Sequence, residues 1–158
     1  MTNDDRVETL PPAVRLLMRV LDEGFAQGRT EVVDELFDPG LVDHQFGMAG
    51  AGEEALEKTR RAIADLHAMA PDIRYELQDW AQRGDVTWVR VLGTGTLTGP
   101  FFGPPSGKPF EITVIDVVRT VETGDPGADD GLRIAEHWGI PDRFALLAQS
   151  GALDRLRA

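Results

Sequence analysis

The stretch that decides the fold is Gly131-Leu-Arg-Ile-Ala-Glu-His-Trp-Gly-Ile-Pro-Asp-Arg-Phe-Ala-Leu-Leu-Ala-Gln-Ser-Gly151. Its first half alternates with the two-residue period that is typical of a β-strand. The alternation breaks between Trp138 and Pro141, and a short apolar helix is predicted after it. His137, Trp138 and Asp142 therefore gather where a strand ends and a helix begins. Functional sites are commonly built at such places, because rigid elements hold a side chain there without burying it.

The composition indicates one globular domain without thiol chemistry. The chain has 158 residues, of which 42% are apolar, and it has no cysteine. One domain with a single core is therefore expected, and disulfides, catalytic thiolates and thiolate metal sites are excluded. We predict a disordered tail over residues 1–10, a single domain over residues 11–151 and a C-terminal tail over residues 152–158.

The amino terminus and the net charge of the chain indicate its compartment and the kind of molecule it binds. The amino terminus is polar, and no apolar run approaches the roughly 20 residues that span a bilayer, so we expect neither a signal peptide nor a membrane partner. The net charge of −11 argues against nucleic acid, which requires clustered Lys and Arg. Three scattered histidines predict no metal site. We expect a cytoplasmic protein that binds a small apolar molecule.

Hydrophobic periodicity predicts three helices followed by four antiparallel strands. The helices are predicted between residues 11 and 28, over 30–37 and over 53–69. The strands are predicted over 73–80, 86–98, 109–121 and 132–138, with a turn at 38–40, an extended segment at 41–46, and loops at 47–52 and 99–108. This order indicates an α+β fold in which helices pack on one face of a strongly curved sheet and enclose a cone-shaped pocket.

Four short motifs occur in one order between residues 12 and 151. They are Val42-Asp43-His44, Ala70-Pro71-Asp72-Ile73-Arg74, Gly95-Thr96-Leu97-Thr98-Gly99 before a loop rich in Gly and Pro, and Glu136-His137-Trp138 with Asp142 four residues past the tryptophan. Together they resemble the SnoaL-like polyketide ester cyclases. That group belongs to the nuclear-transport-factor-2-like superfamily, which also contains ketosteroid isomerase, scytalone dehydratase and limonene epoxide hydrolase.

The resemblance implies a fold, a reaction and a catalytic residue. The implied fold is a cone of three helices on a curved, mixed sheet. The implied reaction is ring closure by intramolecular aldol condensation in antibiotic biosynthesis, without a metal or organic cofactor, and the catalytic aspartate of the family matches Asp142. Many relatives have Gly-Thr-His where this chain has Gly95-Thr96-Leu97, so a histidine able to polarise a carbonyl is replaced here by Leu97.

An aldol closure requires a base for an activated C–H proton, donors for the enolate and an acid for the new alkoxide. One carboxyl group can perform both proton transfers if an apolar pocket raises its pKa from about 3.9 toward neutrality. Asp142, close to Trp138 and Ile140 in sequence, is the predicted acid/base. The alternative is that Asp142 only caps the helix that begins after Pro141.

Two histidines are candidates for binding or polarising carbonyl oxygens. His44 shares a side with Phe46 and is predicted to be a donor in the pocket, with a core histidine as the alternative. His137 and Trp138 are neighbours on a strand, so their side chains face opposite ways. We expect Trp138 to form a pocket wall, and His137 either acts directly or is bonded to the backbone.

Further pocket residues are predicted on the central strands and on the loop at 99–108. Asp116 interrupts an apolar run, and a carboxylate there is costly without a partner, so it either lines the pocket as a second acid or pairs with Arg90. Trp88 and Arg90 share one strand face, and on an inward face Arg90 would meet an enolate oxygen. Phe102 belongs either to a lid or to a subunit contact.

These expectations combine into one interpretation and two alternatives. We interpret the chain as a cofactor-free, homo-oligomeric polyketide cyclase, a dimer or tetramer. The first alternative is another proton-transfer enzyme on this fold, namely an isomerase, a dehydratase, an epoxide hydrolase or a pyran-forming cyclase. The second is a non-catalytic binding or assembly module. In an enzyme Asp142 and His44 should converge on one cavity, whereas in a module they should be capped, paired or exposed.

Overall fold

The computed structural model describes residues 10–125, 128–155 and 157. The helical elements are α1 (Pro12–Arg19), a π-helical segment (Val20–Ala26), α2 (Val32–Leu36), α3 (Glu53–Met69), α4 (Arg143–Ser150) and α5 (Ala152–Arg155). The strands are β1 (Phe37–Asp43), β2 (Gly50–Ala51), β3 (Arg74–Arg83), β4 (Val86–Thr96), β5 (Pro109–Glu122) and β6 (Leu132–Pro141). The predicted α+β class, with three helices ahead of the long strands, is confirmed.

The six strands form one sheet in the order β2-β1-β6-β5-β4-β3. Strands β3 to β6 are antiparallel neighbours along the chain, as the pattern of strands and turns predicts. Strand β1 runs parallel to β6 and antiparallel to β2, so the sheet is mixed. The parallel pair places the end of β1 beside the end of β6, although the two strands are far apart in sequence.

The long strands alternate between one buried and one exposed face. In β5 the side chains of Ile112, Val114, Asp116 and Val118 are buried, and the residues between them are exposed or half-buried. The buried face meets α1, the π-helical segment and α3 in one hydrophobic core. Burying an aliphatic side chain of this size contributes about 1.5–3 kcal/mol, so this face fixes how the helices lie on the sheet.

Helices α3 and α4 show why the chain folds locally as it does. In α3 the buried residues Leu56, Thr59 and Ile63 recur at three- and four-residue steps, which places them on one side of the helix. Helix α4 is capped at its start by Asp142 and ends at Gly151, whose φ of 77° suits a residue without a side chain.

Several predicted boundaries differ from the structure. The turn predicted at Asp38-Pro39-Gly40 lies inside β1, in a part where the register with β6 shifts, so Pro39 is not required to donate a ladder hydrogen bond. The loop predicted at 47–52 contains β2, and residues 152–155 of the predicted C-terminal tail form α5. The predicted disordered tail lies outside the described residues except for Leu10, which packs against the core.

The prediction of no membrane partner can be compared with the length and apolar character of the helices. Over the ranges described above, no helix combines the length and the apolar character that crossing a membrane requires.

Candidate active site

A cavity of about 870 Å³ lies between the buried face of the sheet and the helices. This volume is within the range of small-molecule sites, and such sites combine an apolar wall with a few convergent polar groups. The apolar wall includes Leu17, Leu21, Leu66, Met69, Ile112 and Val114. The polar groups converge where β1, β5 and β6 meet.

His137 is the centre of these polar groups. Its Nδ1 lies 2.9 Å from Oδ2 of Asp43, and its Nε2 lies 3.1 Å from Oδ1 of Asp116. All three side chains are buried. Asp43 is the direct partner of His137 in the parallel β1–β6 pair, and Asp116 lies on the buried face of the adjacent strand β5. The pairing of three strands therefore assembles one cluster, which we call the Asp43–His137–Asp116 cluster.

The two carboxylates keep the imidazole protonated. Burial alone lowers the pKa of His137, but the hydrogen bonds and negative charges of Asp116 and Asp43 outweigh burial and raise the pKa to about 9. At neutral pH both ring nitrogens therefore carry protons and donate to the two carboxylates. The cluster as a whole then carries a net negative charge.

The two carboxylates of the cluster are not equivalent. Both oxygens of Asp43 are occupied, because Oδ1 accepts from the backbone N–H of Gln45 at 2.7 Å and Oδ2 accepts from His137. Both residues line the cavity, but in Asp116 only Oδ1 is held, by His137. Within the described residues no hydrogen bond occupies its Oδ2. Asp116 is therefore the carboxylate that can meet a ligand.

Gln45 reaches this cluster because position 139 has no side chain. A Cβ atom at Gly139 would come within 1.9 Å of Oε1 of Gln45 and 2.8 Å of Oδ1 of Asp116. The Gln45 carboxamide thus lies against the backbone of Gly139, beside Asp116, and lines the cavity. A glycine inside a strand often marks such a close approach, and Gly139 was the signal that could have revealed Gln45 from the sequence.

Two predicted residues line the outer part of the cavity. Phe46 and Phe102 are 85% and 77% exposed and belong to its lining, so they mark its mouth. The guanidinium of Arg143 lies 5.6 Å from the ring centroid of Phe46 and donates to the Phe46 carbonyl at 2.9 Å. Arg143 was not selected from the sequence, where it is one of many charged residues on a predicted helix.

The structure places Asp142 outside the cavity. Its side chain is exposed and accepts a hydrogen bond from the backbone N–H of Ala145 at 2.9 Å, as the N-cap of α4. The expectation that apolar surroundings enclose Asp142 is wrong, and the capping alternative describes its position. The physical reason is strand alternation: Pro141 pairs with the buried Val114 and lines the cavity, so the side chain of Asp142, whose backbone N–H still bonds to Thr113 of β5, faces away from it.

Four other predicted pocket residues lie on the opposite face of the sheet. The ring of His44 stacks on Trp138, with centroids 4.7 Å apart, and its Nε2 lies 2.8 Å from Oε1 of Glu136. Trp88 and Arg90 are exposed. The prediction that these residues line the pocket is wrong, because neighbouring side chains on a strand face opposite ways. The inward-facing side chains are those of Val89 and Val91 in β4 and of His137 in β6.

The positions of Asp116 and Leu97 decide between the alternatives that the sequence left open for them. Asp116 lines the cavity and pairs with His137, whereas Arg90 is on the other face. Leu97 is buried in the hydrophobic core, so this position adds no polar group to the cavity. Asp142 and His44 are capped and paired, as in a binding module, but the cavity contains a different convergent polar cluster. No set of three or more His, Asp or Glu side chains in the described chain could hold a metal ion.

Comparison with known proteins places this architecture in one family. The family model described as SnoaL-like polyketide cyclase matches residues 15–150. IdmH, a putative polyketide cyclase from Streptomyces antibioticus, is 32% identical with a TM-score of 0.67, over 90% of this chain and 99% of that chain. TsrD from Streptomyces laurentii is 25% identical with a TM-score of 0.69, over 89% and 96% of the two chains.

A further solved structure supports the fold alone. A putative SnoaL-like polyketide cyclase from Jannaschia sp. CCS1 is 24% identical with a TM-score of 0.72, over 89% of this chain and 92% of that chain. No curated protein sequence matches the chain.

Proposed function

The chain belongs to the SnoaL-like polyketide cyclase family, and we propose that it closes a ring by intramolecular aldol condensation with Asp116 as the general acid/base. The proposal includes no metal and no organic cofactor. One observation carries it: Asp116 faces the cavity with one carboxylate oxygen held by the protonated His137 and the other without a partner among the described residues.

The proposed reaction begins and ends with proton transfer at Asp116. Oδ2 takes a proton from a substrate carbon next to a carbonyl, and the C–H electron pair enters the enolate. The enolate carbon then attacks a second carbonyl carbon of the same molecule, so that a C–C bond forms and the carbonyl π electrons move to oxygen. The resulting alkoxide takes the proton back from Asp116. No oxidant or co-reactant is consumed, and positioned proton transfer of this kind contributes about 10²–10⁴-fold.

The other two members of the cluster position Asp116. The Nε2–H of His137 fixes Oδ1, which leaves Oδ2 as the reactive oxygen, and Asp43 fixes the imidazole through Nδ1. In the proposed reaction the carboxamide of Gln45, which lies beside Asp116, donates to the developing enolate oxygen. Such preorganised donors are most effective where an apolar wall excludes water.

Proton abstraction is tested separately from ring closure. With 2-tetralone, an apolar ketone that has an activated methylene, we expect the protein to accelerate exchange of that methylene in D₂O, measured by proton NMR. Asp116→Asn should reduce the acceleration by about 10²-fold or more. Asp142→Asn is the matched control and should retain it. Equal rates for Asp116→Asn and wild type would contradict the assignment of Asp116.

Ring closure distinguishes the aldol reaction from the other proton transfers. Incubation with 1-phenylhexane-1,5-dione should give the six-membered hydroxyketone or its dehydrated enone, identified by NMR against the uncatalysed reaction. Exchange in 2-tetralone without ring closure would favour an isomerase or dehydratase. Neither exchange nor ring closure, with retained binding of 2-tetralone, would favour a non-catalytic binding module.

We propose that the chain forms a dimer through the exposed face of the sheet. Trp88, Ile115 and Ile140 are 39%, 40% and 68% exposed there, and such clustered apolar side chains commonly mark an interface. Charges of both signs border them, as in the pairs Arg119–Asp85 and Arg119–Glu136. A surface that carries both signs around an apolar centre can complement itself, as a two-fold dimer requires.

The dimer is tested by light scattering after size-exclusion chromatography. We expect wild type to have twice the chain mass and Trp88→Glu to be monomeric. Phe102→Glu, at the mouth of the cavity, is the control and should remain dimeric. Dissociation by Phe102→Glu alone would instead place the subunit contact on the loop at 99–108.

A further inference from the structure

We infer that Tyr75 binds substrate, and that the substrate has a neutral oxygen acceptor, a carbonyl or hydroxyl oxygen, which accepts from the Tyr75 hydroxyl. The inference rests on the proposed function to the extent that it takes the cavity as the substrate site. It extends that function, because it specifies a binding contact outside the Asp43–His137–Asp116 cluster and a chemical property of the ligand.

The position of Tyr75 in the sheet directs its ring into the cavity. Tyr75 lies on β3 opposite Gly93 of β4, and it belongs to the cavity lining. A Cβ atom at Gly93 would come within 3.4 Å of Cε1 of Tyr75, so the ring lies against the bare backbone of β4. The glycine thus allows a large aromatic ring to occupy this part of the cavity wall.

The Tyr75 hydroxyl has no acceptor within the described parts of the chain. No described residue forms a hydrogen bond with it, and the ring packs against the hydrophobic core. Burial raises the pKa of this hydroxyl, and the nearby negative charge of Asp116 raises it further, so the proton is retained at neutral pH. The side chain is half-buried and lines the cavity, so its hydroxyl is open to the cavity and can donate to a ligand oxygen there.

The charges around the cavity select the kind of acceptor. The Asp43–His137–Asp116 cluster carries net negative charge, and the charge of Asp116 acts on Tyr75 itself. A ligand carboxylate at Tyr75 would therefore be repelled, whereas the oxygen of a neutral ketone or alcohol would not. The apolar wall accommodates the remainder of such a molecule. The geometry therefore points to a neutral, multiply oxygenated apolar ligand.

The inference can be tested at a single atom, because Tyr75 is the one tyrosine of the chain. Protein labelled with 3-fluorotyrosine gives one fluorine NMR signal, which is titrated with 9-fluorenone and with fluorene, the same ring system without the oxygen. We expect fluorenone to shift the signal saturably and to bind more tightly than fluorene. No saturable shift with fluorenone, or equal affinity for both compounds, would overturn the inference.

Two variants locate the acceptor contact. Tyr75→Phe, followed by calorimetry, should weaken fluorenone binding about 5- to 10-fold and change fluorene binding less than about twofold, as loss of one neutral hydrogen bond predicts. Asp142→Asn, which lies outside the cavity, is the control and should leave both affinities unchanged. Unchanged fluorenone binding in Tyr75→Phe would overturn the inference, and weakening by Gln45→Leu alone would do so by placing the contact at Gln45.

Stability and catalysis provide independent checks. Because no residue in the described part of the chain accepts from the hydroxyl, the melting temperature of Tyr75→Phe should equal or exceed that of wild type. A lower melting temperature with unchanged fluorenone binding would identify a structural tyrosine and overturn the inference. The titration measures binding only, so a failure of proton exchange in 2-tetralone would contradict the proposed reaction and leave the role of Tyr75 intact.

Discussion

The two faces of the sheet near the end of β6 carry two histidines with contrasting surroundings. His44 and His137 are neighbours, since the backbone N–H of His44 donates to the carbonyl of His137 at 2.9 Å. Both imidazoles bond to carboxylates. On the inner face His137 lies between Asp43 and Asp116 and is buried, whereas on the outer face His44 bonds to Glu136 and its side chain is 41% exposed.

The difference shows that the surroundings, more than the type of partner, determine what a histidine–carboxylate pair can do. On the outer face hydrogen bonds from His44 and then Arg119 lower the pKa of Glu136, but water and salt screen these charges. On the inner face the same kind of bond fixes a cationic imidazole and a carboxylate at the wall of a cavity. The inner pair is therefore suited to chemistry and the outer pair to surface contacts.

Removing each histidine gives the largest expected contrast. His137→Gln leaves two buried carboxylates without their cation, and we expect the free energy of unfolding to fall by about 3–5 kcal/mol. His44→Gln removes an exposed pair and should lower it by at most about 1 kcal/mol. Urea unfolding followed by tryptophan fluorescence measures both values. Similar losses for the two variants would contradict the contrast between the faces.

The pH dependence of stability should follow the inner histidine. The pKa of His137 is about 9 in the folded protein and about 6.5 in an unfolded chain, so its contribution is complete below pH 6.5. The contribution is lost as the pH rises through 9, which lowers the free energy of unfolding by about 3 kcal/mol. Urea unfolding at several pH values should show this decline in wild type and in His44→Gln. A decline that persists in His137→Gln would assign it to another group.

A methyl group at position 139 should disturb the inner face specifically. In Gly139→Ala the new Cβ would overlap the Gln45 carboxamide and crowd Asp116, so we expect about 1–3 kcal/mol of destabilisation and slower proton exchange in 2-tetralone. Gly124→Ala is the control, because a Cβ there meets nothing within 4 Å. Thermal unfolding and the exchange assay compare the two variants. If Gly139→Ala keeps the stability and the exchange rate of wild type, Gln45 and Asp116 tolerate displacement.

The smallest expected effect concerns the helix cap. Asp142→Ala should cost about 1 kcal/mol by removing the acceptor for Ala145 N–H, whereas Asp142→Asn keeps an acceptor and should cost less. Proton exchange in 2-tetralone should be unchanged in both, as measured at a temperature where both are folded. Loss of exchange in Asp142→Asn with stability retained would return the catalytic role to Asp142.

The sequence predicted where the helices and strands lie better than which face of each strand meets the helices. Alternation grouped Trp88 with Arg90 and separated them from Val89 and Val91, and the structure has the same grouping. Periodicity does not reveal which group faces the helices, and the large aromatic residue was the wrong guide to the pocket. Asp116 stood out because a carboxylate interrupts an apolar run, a signal that depends on the cost of burying charge and not on orientation.

The cluster itself could not be read from local patterns. Asp43 was noted only as part of a motif, because nothing near it in sequence shows that β1 lies parallel to β6. The bond between Asp43 and His137 depends on that register. The N-cap role of Asp142 was visible as an alternative, since the residue follows Pro141 and precedes a helical pattern. Local chemistry was therefore predictable, whereas the strand register that assembles the cluster was not.

The parallel pairing of β1 with β6 has a consequence for how the protein is made. Asp43 and His137 are separated by 94 positions, so translation produces one partner long before the other. During that interval the Asp43 carboxylate on the nascent chain remains hydrated, and the cavity lacks the strand that closes it. Such long-range closure slows folding. Assembly of the Asp43–His137–Asp116 cluster is therefore expected to wait until β6 has emerged from the ribosome.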